Sequence, residues 1–198
     1  ALAGARAVAG LQPRAAILPT GLDEAVTPTA PDWAAAPMPM RRELAARTIA
    51  ALGEPPRVRV AMPDGPGYRL LFARLRRDWR LIGIEAERVA ANAPAELELI
   101  DAVAPAVLAS WYLRHFACET GRVCDPAADE ALRAAREAAS PAERAKQLAA
   151  ADRLLAGLTP FVALGSPVRW SLAAPRLTGF RPNRFARHPP GTLIAEED

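Results

Sequence analysis

Residues 57–89 limit the possible folds more than any other stretch, because they read strand, turn, helix, turn, strand. Arg57-Val58-Arg59-Val60-Ala61-Met62 alternates, with Val58, Val60 and Met62 on one face. Pro63-Asp64-Gly65-Pro66-Gly67 is a turn. Leu71, Phe72, Leu75, Trp79 and Ile82 then form one stripe of a helix predicted over 68–82, which Gly83 ends. Ile84-Glu85-Ala86-Glu87-Arg88-Val89 is the second strand. A crossover helix between two strands makes them parallel, with a right-handed connection. The chain is therefore predicted to be α/β, a mixed sheet flanked by helices. The turn lacks the Lys-Ser/Thr of a phosphate loop and the spacing of a dinucleotide fingerprint, so it reads as a plain joint.

Composition narrows the function classes. With 198 residues, 51% hydrophobic and 24% charged, the chain can bury a core of its own. No apolar run approaches the ~20 residues of a membrane span. The chain begins Ala-Leu-Ala-Gly, with no basic and apolar leader. It reads as a piece of a longer chain, so the missing leader says nothing about where the parent works. The net charge is +3, almost all of it arginine, with Lys146 the sole lysine. The densest basic run, Arg74-Leu75-Arg76-Arg77-Asp78-Trp79-Arg80, places its arginines away from the apolar stripe. It reads as a solvated helix face, and no nucleic-acid-binding pattern accompanies it.

Cys118 and Cys124 close a short loop, Cys-Glu-Thr-Gly-Arg-Val-Cys. The pair suits a disulfide in an oxidising compartment, worth about 2–3 kcal/mol if unstrained. Free thiols stay open as an alternative. A zinc site needs about four ligands, and of the two histidines only His115 is near. Metal and cofactor sites are therefore not expected.

The rest of the chain reads in order. Residues 1–37 are a loop-rich opening: a possible helix tail over 1–9, an extended segment over 13–22, then a Pro- and Thr-rich loop anchored by Trp33. A helix is predicted over 40–52, with Leu44, Ala45, Thr48, Ile49 and Leu52 on its inner face, Pro39 at its start and Gly53 at its cap. A third strand is predicted over 96–103, with Leu97, Leu99 and Asp101 on one side, followed by a helix over 106–116. Asp125-Pro126 opens an Ala-rich helix to 139, which with Leu132 as its one large apolar anchor should lie on the surface. Ser140-Pro141-Ala142-Glu143 is a capping box. The helix behind it should end at Gly157 and turn Leu148, Ala151, Leu155 and Leu158 inward, with Asp152 pairing with a nearby arginine. Phe161-Val162-Ala163-Leu164 reads as a buried strand, and Val168-Arg169-Trp170-Ser171-Leu172 as another with Val168, Trp170 and Leu172 inward. Residues 173–198 form a basic, Pro-rich tail with an acidic, frayed end.

The C-terminal run carries a resemblance. Ser140-Pro141-Ala142-Glu143-Arg144, Ala151-Asp152-Arg153-Leu154-Leu155, Pro160-Phe161-Val162-Ala163-Leu164 and the loop Gly179-Phe180-Arg181-Pro182-Asn183 follow in an order that resembles the extracytoplasmic solute-binding proteins of ABC importers, peptide/nickel family (family 5). The stretch Leu75 to Val89 is similar as well, and the likeness spans about residues 12–191. It implies a periplasmic-binding-protein-like (type II) lobe: residues 1–198 as a single α/β lobe, the C-terminal half of a two-lobed protein. In that family the loop after the third strand faces the ligand cleft and can carry an acidic residue for a peptide's amino terminus. In this sequence Asp101-Ala102-Val103-Ala104-Pro105 puts Pro105 where that residue is expected, and Asp101 lies too early to be a safe replacement.

The candidate ligand-binding residues are Ala104 in that loop and Ser110, Trp111, Tyr112 and Arg114 in the next helix. Aromatic walls beside an arginine suit stacking on a solute and holding a carboxylate. Core packing of Trp111 and Tyr112 is the competing reading. No catalytic constellation is expected: Leu164-Gly165-Ser166-Pro167 is no nucleophile elbow, and Glu98 and Asp101 point to opposite faces of a strand. The resemblance implies a non-enzyme that captures a peptide-like solute between lobes and delivers it to ABC permease subunits, in the periplasm and with no nucleic-acid partner. The parent's signal peptide would lie outside this sequence. The alternative is the ligand-sensing domain of a bacterial transcription regulator, against which the cysteine pair argues. A hydrolase or transferase with its active site elsewhere is a third class that nothing in the sequence supports.

Overall fold

A computed structural model describes residues 14–120, 123–166, 172–181, 183 and 193–195. The described residues fall into two compact units. One holds 14–15, 30–101 and 163–166, and the other 16–29, 102–162 and the described positions beyond 167.

The first unit is built on the predicted strand–helix–strand. Strand β1 (Arg57–Ala61) pairs in parallel with β2 (Glu85–Val89), from Arg57 opposite Glu85 to Ala61 opposite Val89. Helix α2 (Pro66–Arg80) is the crossover. Its stripe does what the 3.6-residue spacing requires: Leu75 is buried, Trp79 is buried with Val60, Met62 and Ala86, and Leu71, Phe72 and Ile82 pack at the margin. Two glycines make the joints, with φ of +146° at Gly65 and +86° at Gly83. A Cβ on Gly83 would also come within 3.2 Å of Ile49. The opposite sheet face is charged. Arg57 pairs with Glu85 at 3.3 Å, and Arg59 grips Glu96 through its side chain and its backbone N–H at 2.6–2.7 Å.

Two expectations for this unit need correction. The third strand, β3, is only Leu97–Glu98, set parallel to β1 in the order β2–β1–β3. Leu97 is exposed, and beyond Glu98 the chain leaves the ladder after one further bond, from Leu99 N–H to the Ala61 carbonyl. Helix α1 (Met38–Ala50) forms, but none of its residues is buried. Leu44 and Leu52 face solvent, and only Ala45 and Ile49 of the expected face are half-buried.

In the second unit the core lies between the segment 16–29 and three helices: α3 (Ala109–Leu113), α4 (Pro126–Glu137) and α5 (Pro141–Leu158). Helix α3 runs on into a 3-10 turn, Arg114–Phe116, so the helix predicted over 106–116 starts later, after an extended Leu108. The Cys118–Cys124 disulfide closes the next loop, with Cα atoms 5.1 Å apart. Both predicted N-caps form: Asp125 accepts from Ala127 N–H at 2.8 Å, and Ser140 from Glu143 N–H at 3.2 Å. The Glu143 carboxylate accepts from Gln147 Nε2.

Helix α4 is not a surface helix. Ala128, Ala131 and Ala135 are buried along with Leu132, in one cluster with Leu148, Ala151 and Leu155 of α5. Small side chains let the two helices approach closely. Helix α5 passes through Gly157 and stops at Thr159, whose φ is +51° and whose N–H bonds to the Leu155 carbonyl. That leaves Leu158 exposed. Asp152 is buried and accepts from the Thr29 backbone N–H at 2.6 Å, rather than pairing with an arginine. Residues 161–164 are not a strand: Phe161 packs on Phe116, with ring centroids 5.5 Å apart, while Val162 is exposed. Residues 168–171 of the next predicted strand lie outside the described residues, as do 1–9, and Leu172 is fully exposed. In the tail, β4 (Leu177–Thr178) and β5 (Ile194–Ala195) pair antiparallel.

Candidate functional site

Helix α3 presents most of the predicted site. Ala109 and Leu113, one turn apart, are completely buried and seat the helix on the core. That rotation leaves Ser110, Trp111 and Tyr112 half-buried and Arg114 exposed. The Trp111 ring meets Tyr112 edge-on at 5.0 Å and His115 at 4.5 Å. His115 Nδ1 lies 3.0 Å from the Trp111 carbonyl, an acceptor, so Nδ1 carries the proton. Arg114 is exposed, and its Nε donates to the Ser110 carbonyl at 3.3 Å.

The predicted set separates by role. Tyr112 packs against the core cluster, as the packing reading requires. Ser110 is engaged inward, its N–H donating to Glu24 Oε2 at 3.3 Å. Trp111 is half-buried against Tyr112 and His115, and Arg114 is exposed. Ala104 is half-buried in the irregular segment leading to α3, outside the helix.

The first unit holds a second cluster, which sequence reading did not assemble. In open α/β sheets ligands bind beyond the carboxyl ends of the strands, where successive connections leave in opposite directions. The order β2–β1–β3 makes such a point between β1 and β3. There Tyr68 Oη donates to Asp101 Oδ2 at 2.9 Å. In the adjacent turn Asp64 accepts from Arg69 at 2.8 Å and Arg88 at 3.3 Å. Its carboxyl is held below the usual range, first by the Gly65 backbone N–H and then by Arg69. This cluster offers carboxylate acceptors beside a phenol. Tyr68 and Asp101 are 33 residues apart, and no local spacing links them.

Other surfaces are less specific. A groove of about 380 Å³ is lined by five arginines, Arg57, Arg59, Arg76, Arg80 and Arg88, against two glutamates, Glu85 and Glu87, so arginine predominates in it. Among the described residues, no three His, Cys, Asp or Glu side chains are grouped to hold a metal ion. No described helix is long and apolar enough to cross a membrane.

No protein-family model matches the sequence, and no curated protein matches it. Solved structures do. OppA of Burkholderia pseudomallei superposes with a TM-score of 0.78 at 20% identity, over 89% of this chain and 39% of its own. OppA of Haemophilus influenzae, solved in complex with the peptide RPPGFSPFR, gives 0.77 at 17% identity over 87% and 38%. The murein tripeptide binding protein MppA of Escherichia coli gives 0.74 at 15% identity over 86% and 37%. The chain thus spans well under half the length of these proteins and has the fold of a part of them, mixed helix and sheet, as the sequence resemblance implied.

Proposed function

We propose that this chain is a ligand-binding lobe of a solute-binding protein that captures a peptide-like solute for an ABC importer. The fold likeness to OppA and MppA over nearly the whole chain carries the reading, since one of those proteins was solved with a bound peptide and another is named for binding one. Its role is binding rather than catalysis. The remainder of the longer protein supplies the opposing wall, and closure over the solute precedes delivery to a membrane permease. On this reading Trp111 and Arg114 supply stacking and carboxylate-holding groups, with Ala104 of the same unit as a further contact. The Cys118–Cys124 disulfide favours an exported, periplasmic setting over a cytosolic sensor, where such a bond rarely persists.

Isothermal titration tests the two-wall account. The 198-residue chain and the longer protein encoded around it are each titrated with RPPGFSPFR and with a murein tripeptide. The longer protein is expected to bind at least one of them about a hundredfold or more tighter, a difference of about 2.7 kcal/mol. Equal affinity for the two proteins, or no binding by the longer one, would sink the reading.

A further inference from the structure

The segment 16–29 contains a strained turn. Ala25 has φ +52°, a left-handed conformation that costs a residue with a Cβ about 1–2 kcal/mol. The turn is held by Ala25 N–H to the Leu22 carbonyl at 3.3 Å and Asp23 N–H to the Val107 carbonyl at 3.1 Å. Strain of this kind persists where the surroundings over-determine it. What it accomplishes is to aim Glu24 inward, leaving its side chain only 8% exposed.

Glu24 meets two partners there. Its Oε1 accepts from Arg144 Nε at 2.7 Å and Nη2 at 2.6 Å, and its Oε2 accepts from Ser110 N–H at 3.3 Å. Arg144 Nη1 also donates to the Ala135 carbonyl near the end of α4, at 2.9 Å. One ion pair therefore ties together the strained turn, the first turn of α3, the last turn of α4 and the start of α5. Helix α3 needs that tie. It is five residues long, too short to hold itself, and Leu108 at its N-cap offers no side-chain acceptor. The Glu24 carboxylate supplies the acceptor, and its charge suits a helix N-terminus.

We propose that Glu24 and Arg144 are positioning residues for Trp111: together with the buried Ala109 and Leu113 they fix the rotation of α3 and so the direction in which Trp111 faces. A well-packed apolar pair would be about as stable at such a site. Two nitrogens of the planar guanidinium converge on Oε1 while Oε2 takes the Ser110 N–H, so each oxygen has its own partner, which is what an orienting contact needs. The consequence for solute binding rests on the function proposed above, while the orientation of Trp111 does not.

The test is 19F NMR of the whole chain labelled with 5-fluorotryptophan, which gives four resonances assigned by single Trp→Phe changes. Glu24→Gln keeps the shape and removes the charge, and Arg144→Lys keeps the charge and removes the guanidinium. Each is expected to shift or broaden the Trp111 resonance and leave those of Trp33 and Trp79 in place. A Trp111 resonance unmoved in both folded variants overturns the proposal, and so does an equal disturbance of all resonances. If Glu24→Gln does not fold, Arg144→Lys decides alone. Trp111→Ala then separates the two readings: unchanged binding of RPPGFSPFR, with Trp111 still displaced by the Glu24 change, leaves the positioning role standing and removes Trp111 from the ligand surface.

Discussion

Asp152 is a charged residue with no exposed surface at all. Its Oδ2 accepts the Thr29 N–H, and its Oδ1 has no hydrogen-bond partner among them. Burial pushes its carboxyl above the ordinary range, against the downward pull of the Thr29 hydrogen bonds and of Arg153. The folded protein therefore holds this proton to higher pH than the unfolded chain does. Stability should fall as pH rises from the ordinary aspartate value through the raised one, and the deficit persists above it. Asp152→Asn keeps an oxygen for Thr29 and removes the charge. It should be at least as stable as the parent at pH 7 and show a flatter profile between pH 4 and 7. Asp152→Ala leaves the Thr29 N–H unpaired and should cost about 1–3 kcal/mol. Urea denaturation of the three proteins at both pH values checks the sign. An asparagine variant weaker than the parent at pH 7 but equal at pH 4 would mean that the charge is favourable.

At the scale of elements, the α4–α5 hairpin tests the reading of burial. Alanine carries no apolar period, so the sequence of α4 pointed to Leu132 alone, whereas in the structure Ala135 is 1% exposed. On a surface helix Ala135→Leu would be nearly neutral, since leucine is a good helix former. In a close-packed contact it should cost about 1–3 kcal/mol by overpacking. A lowered urea midpoint with an unchanged slope would show this, and a neutral result would return α4 to the surface. The same contrast explains what was legible. The β1–α2–β2 unit was read nearly residue for residue, because Val58, Val60, Leu71, Leu75 and Trp79 follow the period of the element they occupy. Caps were legible too, since Asp125 and Ser140 act within three residues. Leu44 and Leu52 keep a helical period yet are exposed, and the apolar run 161–164 pairs with no strand among the described residues. Of the site, the aromatic run Trp111-Tyr112 was visible as composition. Glu24 with Arg144 and Tyr68 with Asp101 were not, because contacts made only by folding leave no local mark.

The two units draw on the chain differently. Every buried residue of the first cluster, Val60, Met62, Trp79 and Ala86, lies within 30–101, one continuous stretch. The second cluster joins Leu18, Leu22 and Val26 to helices that begin at Ala109. Those three side chains are 2–8% exposed. Removing them forfeits about 1.5–3 kcal/mol each by burial alone. The total is comparable with the ~5–15 kcal/mol that holds a domain together. The cut also removes Glu24 from Arg144 and the Thr29 N–H from Asp152. A chain of residues 30–101 is therefore expected to unfold cooperatively in urea. One of residues 102–162 should retain helix in α4 and α5 without a cooperative transition or strong amide protection. Extending protection to that second piece should require a peptide of residues 14–29, added in trans. If residues 102–162 alone unfold as sharply and at the same urea concentration as the second unit of the whole chain, the segment 16–29 is packing decoration and not part of the core. The strained turn at Ala25 would then have nothing to hold it.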